Sequence, residues 1–590
     1  MFLTCLLAGS GLVAADALTA AAAPGSPGVP GAPATVFEEH WENGQGVTAT
    51  RLPDYVGDDG VTYTSDPYWV RQDQCNGVII QYENAAFPSG YCTTGNFSQN
   101  NVRRLADVLG QVEAGVQGSS DRTSPVNGST AQTRQNHALT AWTGAVNGPV
   151  NAIVWESSRL QIDVTGSRFY TAGINVAETS CEHRGGANNS RLSFSVVTGG
   201  EEISLNRTPI RACSDEGVAY YTSPGLGGWG SGGAYAAAGT YYSDRAMMLT
   251  EEQTENMTLR MRNLTGSSDG NDFGYDNAQL VDATPQLDKS FGPQSVPTGG
   301  VSTLTFTVTN TDELAEKNGW DFTDTLPEGL MVASAPNIGG TCEADDIAAD
   351  AGAGEITITD GVLAHEQESC TITVDVTSAA PAGADESPKS YANCAENITA
   401  HAGINLPDCA MVQFYSEPQL EVNKESTGSG ASRAGDTVSY QVTGSNTGTG
   451  DYTSENPAVV IDDLADVLDD ASFVEGSLRA TVNGAEVDPP IRDGNLIAWS
   501  GPLPAGQDVV ITYDVTLTGA GNSHVANVAF PDEGPYDPDN PPTTPACGEG
   551  GSACTDFDLP GISMEKSADT AELIAGETIT YTFAVENTGN

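Results

Sequence analysis

Short runs in which apolar and polar residues alternate dominate the second half of the chain. Residues 304–310 (LTFTVTN), 370–376 (CTITVDV), 438–446 (VSYQVTGSN) and 509–515 (VVITYDV) carry aliphatic or aromatic side chains at alternate positions. A period of two marks a β-strand buried on one face. Upstream, over 35–283, the runs are shorter and more continuously apolar. Residues 77–82 (GVIIQY), 152–155 (AIVW) and 192–197 (LSFSVV) are examples, separated by Gly, Asn, Asp and Ser. That spacing predicts an antiparallel sandwich or barrel. One helix is predicted over 101–116 (NVRRLADVLGQVEAGV), where apolar residues recur at threes and fours. The fold class is all-β.

The alternating strands belong to a repeat. Residues 286–290 (QLDKS), 420–426 (LEVNKES) and 562–567 (ISMEKS) open three similar segments, with Lys289, Lys424 and Lys566 at intervals of 135 and 142 residues. Each opening is followed by a strand that ends in asparagine, at Asn310, Asn446 and Asn587. Later pieces correspond as well: 322–326 with 460–464, 370–376 with 509–515, and 391–393 with 525–527. A period of this length with Thr/Val strands predicts tandem β-sandwiches. The predicted layout is an export signal at 1–23, a Pro/Gly linker at 24–34 with little capacity to pack, and a head at 35–283. Two repeats follow at 284–416 and 417–560, and 561–590 begins a third. That third copy stops after its first hairpin, which predicts that the native chain continues.

Charge refines this layout. The chain has 590 residues and a formal net charge of -55, from 78 acidic and 23 basic side chains. Residues 284–590 hold 49 acids against 8 bases, whereas 1–283 hold 29 against 15. Nucleic acid is excluded as a partner, because phosphate binding needs basic side chains that release counterions; an anionic membrane surface is disfavoured for the same reason. Residues 1–23 are apolar and alanine-rich and end in TAAAA, as an export signal does, although no Lys or Arg precedes the apolar run. No other segment is long and apolar enough to span a bilayer. Ten cysteines remain beyond Cys5. In an exported chain an even number reads as disulfides. Pairing neighbours is simplest and gives Cys75–Cys92, Cys181–Cys213, Cys342–Cys370, Cys394–Cys409 and Cys547–Cys554, while the sequence alone leaves connectivity open. Metal-ligand spacing of Cys and His is absent.

The LTFTVTNT run at 304–311, DTLPEGL at 324–330 and GETITYTFAVENTGN at 576–590 resemble the conserved Ig-like repeats of bacterial surface proteins. These repeats are common in actinobacterial exported proteins and their function is unknown. The resemblance implies an extracellular, wall-associated stalk or adhesin-like scaffold. The second copy departs from the pattern, with Leu464-Ala465-Asp466 where the first has Leu326-Pro327-Glu328. Many Gram-positive surface Ig-like domains join a lysine and an asparagine side chain in an isopeptide bond, assisted by a buried acid. The resemblance carries that chemistry to Lys289, Asp324 and Asn393 in the first repeat, and to Lys424, Asp462 and Asn527 in the second. Burial would give a neutral lysine nucleophile and a protonated acid. The bland alternative makes Lys an exposed strand charge and Asn and Asp turn residues.

In the head, residues 37–44 (FEEHWENG) and 270–280 (GNDFGYDNAQL) resemble the first and last strands of galactose-binding-like jelly rolls. That resemblance implies carbohydrate binding and a structural calcium, for which Glu38, Asp272 and Asp276 would supply hard oxygens; the alternative is a solvated acidic turn. The glycine-rich stretch 223–242 carries Trp229, Tyr235, Tyr241 and Tyr242, which are either ligand-stacking aromatics or core residues. No GxSxG, HExxH or P-loop is present, and the six histidines are scattered. The chain thus reads as a secreted or cell-wall protein, structural and adhesin-like and not an enzyme, with glycans or host surface proteins as partners. The alternatives are a lectin-like module on the same repeats and a glycan-active enzyme.

Overall fold

A computed structural model describes residues 26–587, except 72, 84–85, 144–147, 180, 183–185, 215–217, 226–234, 267–270, 379–387 and 428–432. The predicted export signal and Trp229 lie outside the described residues. Two compact units are formed. One comprises the described residues up to Gly292 with Thr303–Val376 and Ala392–Ala410; the other comprises Pro293–Ser302, Thr377–Tyr391 and Met411 onward.

The head is a sandwich of two sheets with a long helix, Asn96–Glu113, on its outside. The smaller sheet has five strands, among them Ala152–Ser157, Thr258–Asn263 and Leu192–Thr198. The larger contains Val78–Ile80, Ala138–Trp142, Asp272–Asp282 and Arg168–Glu178. Strand Ala34–Glu39 pairs antiparallel with Asp272–Asp282, so the two ends of the head lie side by side. Ile79 and Leu139 face Trp155 and Phe194 between the sheets. Val78, Ile80 and Ala138 face the opposite way, against Val102, Leu105 and Leu109 of the helix. A strand covered on both faces needs apolar residues at successive positions. That requirement explains the continuous runs.

The helix spans Asn96–Glu113, starting five residues before the predicted position. Gly95, at φ +104, supplies a left-handed turn that side chains disfavour, and Phe97 packs edge-on against Trp142. The Pro/Gly stretch differs from expectation. Gly28 N–H donates to Thr309 Oγ1 at 2.9 Å, and Gly31 C=O accepts from Asp312 N–H at 2.9 Å. Lacking side chains, these glycines can lie along the neighbouring segment, so the linker is anchored.

The larger sheet does not end at the head. Strand Arg245–Leu249 pairs parallel with Glu316–Thr325, matching Arg245 to Glu316 and Ala246 to Lys317, and Arg207 pairs with Glu316 across this seam. Hydrogen-bonded strands therefore run from the head into the first repeat. Within the repeats the predicted alternation is realised. Ser369–Ser378, Thr437–Asn446 and Asp508–Leu517 bury every second residue. The second repeat closes over Tyr440, Val442, Ile511 and Val515 on one side and Val460, Ile497 and Trp499 on the other. Disulfides join Cys75–Cys92, Cys181–Cys213, Cys342–Cys370, Cys394–Cys409 and Cys547–Cys554, the neighbour pairs. No described helix is long and apolar enough to cross a membrane.

Candidate functional site

In the first repeat Lys289 lies on the opening strand Gln286–Gly292, opposite Phe306. Asp324 lies on Glu316–Thr325 and Asn393 ends Lys389–Asn393. The three side chains meet inside the domain. Lys289 Nζ donates to Asn393 Oδ1 at 2.6 Å and to Cys394 C=O at 2.9 Å, with Asp324 Oδ1 at 3.5 Å. Asn393 Nδ2 donates to Asp324 Oδ2 at 2.6 Å. The Lys289 and Asp324 side chains are fully buried. Burial lowers the Lys289 pKa, opposed by the Asp324 charge, and raises that of Asp324, opposed by Lys289. The Cys394–Cys409 disulfide fixes the residue beside Asn393.

This geometry suits amide exchange. The Lys289 amine, whose pKa burial lowers, sits against the Asn393 carboxamide, and a carboxyl group sits at the nitrogen that would leave. Attack of Nζ on Asn393 Cγ would form a new C–N bond. The Cγ–Nδ2 bond would then break, one Nζ proton reaching the departing nitrogen through Asp324 so that ammonia could leave.

The second repeat assembles the same residue types around an addition. Lys424 pairs with Val442 in one sheet, while Asp462 and Asn527 lie on adjacent strands of the facing sheet. Lys424 Nζ donates to Asp462 Oδ2 at 2.6 Å. Between lysine and asparagine stands Tyr513, a residue the sequence reading did not single out. Its hydroxyl donates to Asp462 Oδ2 at 2.7 Å, accepts from Asn527 Nδ2 at 2.6 Å, and lies 3.4 Å from Lys424 Nζ. Asn527 Oδ1 and Asp462 Oδ1 are buried without a hydrogen-bond partner. Burial lowers the Lys424 pKa and raises that of Tyr513, the latter helped by the Asp462 charge. Lys424 thus reaches Asn527 through a hydroxyl.

A third buried lysine was also missed. Lys317 Nζ donates to Glu313 Oε1 at 2.7 Å, to Ala315 C=O at 3.2 Å and to Asn310 Oδ1. Asn310 uses its amide nitrogen on the carbonyls of Gln367 and Ala315, just as Asn446 bonds Gly450 and Leu503. Both asparagines fasten loops. Lys317 has no counterpart in the second copy, so the repeat comparison could not mark it; its signal was the Glu313–Lys317 spacing. Lys566 is exposed, 4.1 Å from the centre of the Tyr581 ring.

The residues chosen in the head do not assemble as predicted. Asp272 Oδ1 accepts from Thr143 N–H at 3.0 Å, whereas Asp276 Oδ2 accepts from Asn136 Nδ2 at 2.7 Å. Four residues of extended strand set the Cα atoms of these two residues about 13 Å apart. Glu38, half exposed, lies 3.6 Å from His40 Nε2. Glu38, Asp272 and Asp276 therefore do not fit a calcium cage. Tyr235 is buried edge-on against Tyr220; Tyr241 belongs to the core between the sheets because its strand, Ala236–Tyr242, pairs with Arg168–Glu178. Neither is offered to a ligand. Tyr242 is partly exposed, with its ring over Gly173, where any Cβ would collide with it.

Residues 285–412 match the model of a family described as a domain of unknown function, DUF7933. Residues 419–558 match that of a second, DUF7927. No curated protein matches the chain. Solved structures similar to it include the collagen adhesin of S. aureus, at 11% identity and TM-score 0.17, covering 52% of this chain and 96% of that one. The major pilin subunit of Bacillus cereus is similar at 11% identity and TM-score 0.19, covering 63% and 91%. The collagen-binding domain of the Erysipelothrix rhusiopathiae surface protein RspB covers 46% and 94%, at 11% identity and TM-score 0.17.

Proposed function

We propose that this is an exported, cell-surface structural protein of adhesin-like type. Its β-sandwich repeats carry the N-terminal head, and its first repeat is closed by an amide between Lys289 and Asn393. The observation that carries this reading is the buried contact of Lys289 Nζ with Asn393 Oδ1, with Asp324 touching both partners. A buried lysine–carboxylate pair contributes little to stability by comparison with apolar packing, so its burial against an asparagine has a better account in covalent chemistry. The crosslink would tie the opening strand of the repeat to a late one and resist pulling on either. Five disulfides support an oxidising compartment outside the cytosol, and the acidic surface favours solubility through self-repulsion.

Intact-mass spectrometry on the full chain tests the reading. The expected mass lacks one ammonia, and a tryptic map joins the peptides of Lys289 and Asn393. A mass with every ammonia retained overturns it.

A further inference from the structure

We propose that the head binds a divalent transition-metal ion of the Zn2+ type through His40 Nδ1, Glu113 and Asp276. These residues come from three elements: the turn after Ala34–Glu39, the last turn of the helix Asn96–Glu113, and the final strand Asp272–Asp282. Their ligand atoms all lie within 4.8 Å of one another. His40 Nδ1 is 3.5 Å from Glu113 Oε1. Two ligands on a tetrahedral ion with bonds of about 2.0–2.2 Å are about 3.4 Å apart, so this pair already has the required spacing.

Two further observations support a cation at this cluster. His40 Nδ1 is buried without a hydrogen-bond partner, whereas buried polar atoms are normally satisfied. The opposite nitrogen, Nε2, faces Glu38 Oε2 at 3.6 Å, the place where a carboxylate orients a metal-bound imidazole. Asp276, fully buried, takes one hydrogen bond on each oxygen, from Asn136 Nδ2 and from Asn277 N–H, both at 2.7 Å. Each oxygen keeps a lone pair for an ion. Among the described residues no lysine or arginine forms an ion pair with Glu38, Glu113 or Asp276. Glu42 is already engaged by His137 at 2.6 Å.

The donor set selects the metal. Calcium takes six to eight oxygens, and this cluster offers one nitrogen and two carboxylates, a combination suited to zinc-like ions with a coordination position left for water. Glu113 is partly exposed, so the ion could enter from solvent. The inference rests on the head alone and does not depend on the crosslink.

The full chain, stripped with a chelator, is titrated with ZnCl2 by calorimetry and melted with and without the ion. One site per chain is expected, with a higher Tm in zinc. His40→Ala and Glu113→Gln should each weaken it by at least about 100-fold, and Glu38→Gln by about 10-fold. His40 and Glu113 are both partly exposed, so these variants should fold, and their zinc-free melting curves check that they do. Equal zinc affinity in the wild type and both ligand variants overturns the proposal, as does displacement of zinc by equimolar Ca2+.

Discussion

The two repeats place a lysine, an aspartate and an asparagine in a buried cluster, yet the clusters are built differently. In the first, Lys289 touches Asn393 directly and Asp324 bridges them. In the second, the Tyr513 hydroxyl occupies the middle and Lys424 is bonded to Asp462 instead. With residues 370–376 aligned on 509–515, Val374 stands where Tyr513 does. At that position an apolar side chain accompanies a lysine set beside its amide, and a phenol accompanies a hydrogen-bonded hub. Finding the same residue types at matching positions is therefore insufficient for the chemistry; the space between them must also be empty.

Removing the amide partner should have the largest effect. Asn393→Ala keeps every ammonia in the mass and lowers the unfolding free energy of the first repeat by about 4–5 kcal/mol. A crosslink closing a loop of about 100 residues is worth that much by the chain-entropy argument. Denaturant unfolding of the wild type and variant measures it. An unchanged midpoint would sink the crosslink as a source of stability.

The second repeat is probed through its charge. Asp462→Ala leaves Lys424 buried without its counter-ion, which should cost about 3–5 kcal/mol, seen as an earlier melt of the second repeat. A sharper contrast comes from Tyr513→Val, which copies the first repeat. The wild type should lose one ammonia and Tyr513→Val two. Loss of two by the wild type would make Tyr513 a participant in the reaction, where the geometry casts it as a barrier.

Titration gives a smaller effect. Burial lowers the Lys289 pKa, so an uncrosslinked native repeat releases that proton at lower pH than the unfolded chain does. Between the two pKa values the unfolded state binds more protons, and stability rises with pH. Asn393→Ala should show this rise on the alkaline side, and wild type should not, because an amide nitrogen does not titrate. Parallel stability curves from pH 7 to pH 10 would refute it. The smallest effect belongs to the exposed Lys566: Lys566→Ala should leave the mass deficit unchanged and shift stability by less than about 0.5 kcal/mol.

Much of this was legible in the sequence, for particular reasons. Strands such as Thr437–Asn446 announce themselves because one buried face imposes a period of two. Lys289 and Lys424 stood out because the chain has so few lysines. Other features had no local signal. Tyr513 read as an ordinary strand aromatic, and only the register that sets it opposite Tyr440 in a closed sandwich puts its hydroxyl on Asp462. Tyr241 followed a glycine-rich stretch and read as a loop residue, but pairing of its strand with Arg168–Glu178 drew it inward.

By itself the sequence determined the all-β character, the repeat and the lysine, aspartate and asparagine gathered at Lys289 and Lys424, since these follow from side-chain period and recurrence along one chain. The tertiary structure alone decided that the head's sheet runs on through Arg245–Leu249 into the first repeat, that Tyr513 separates Lys424 from Asn527, and that His40, Glu113 and Asp276 converge. Each of those outcomes depends on which distant strands pair and in what register, and the cooperative closure of a whole sheet fixes that pairing where no short window of sequence can.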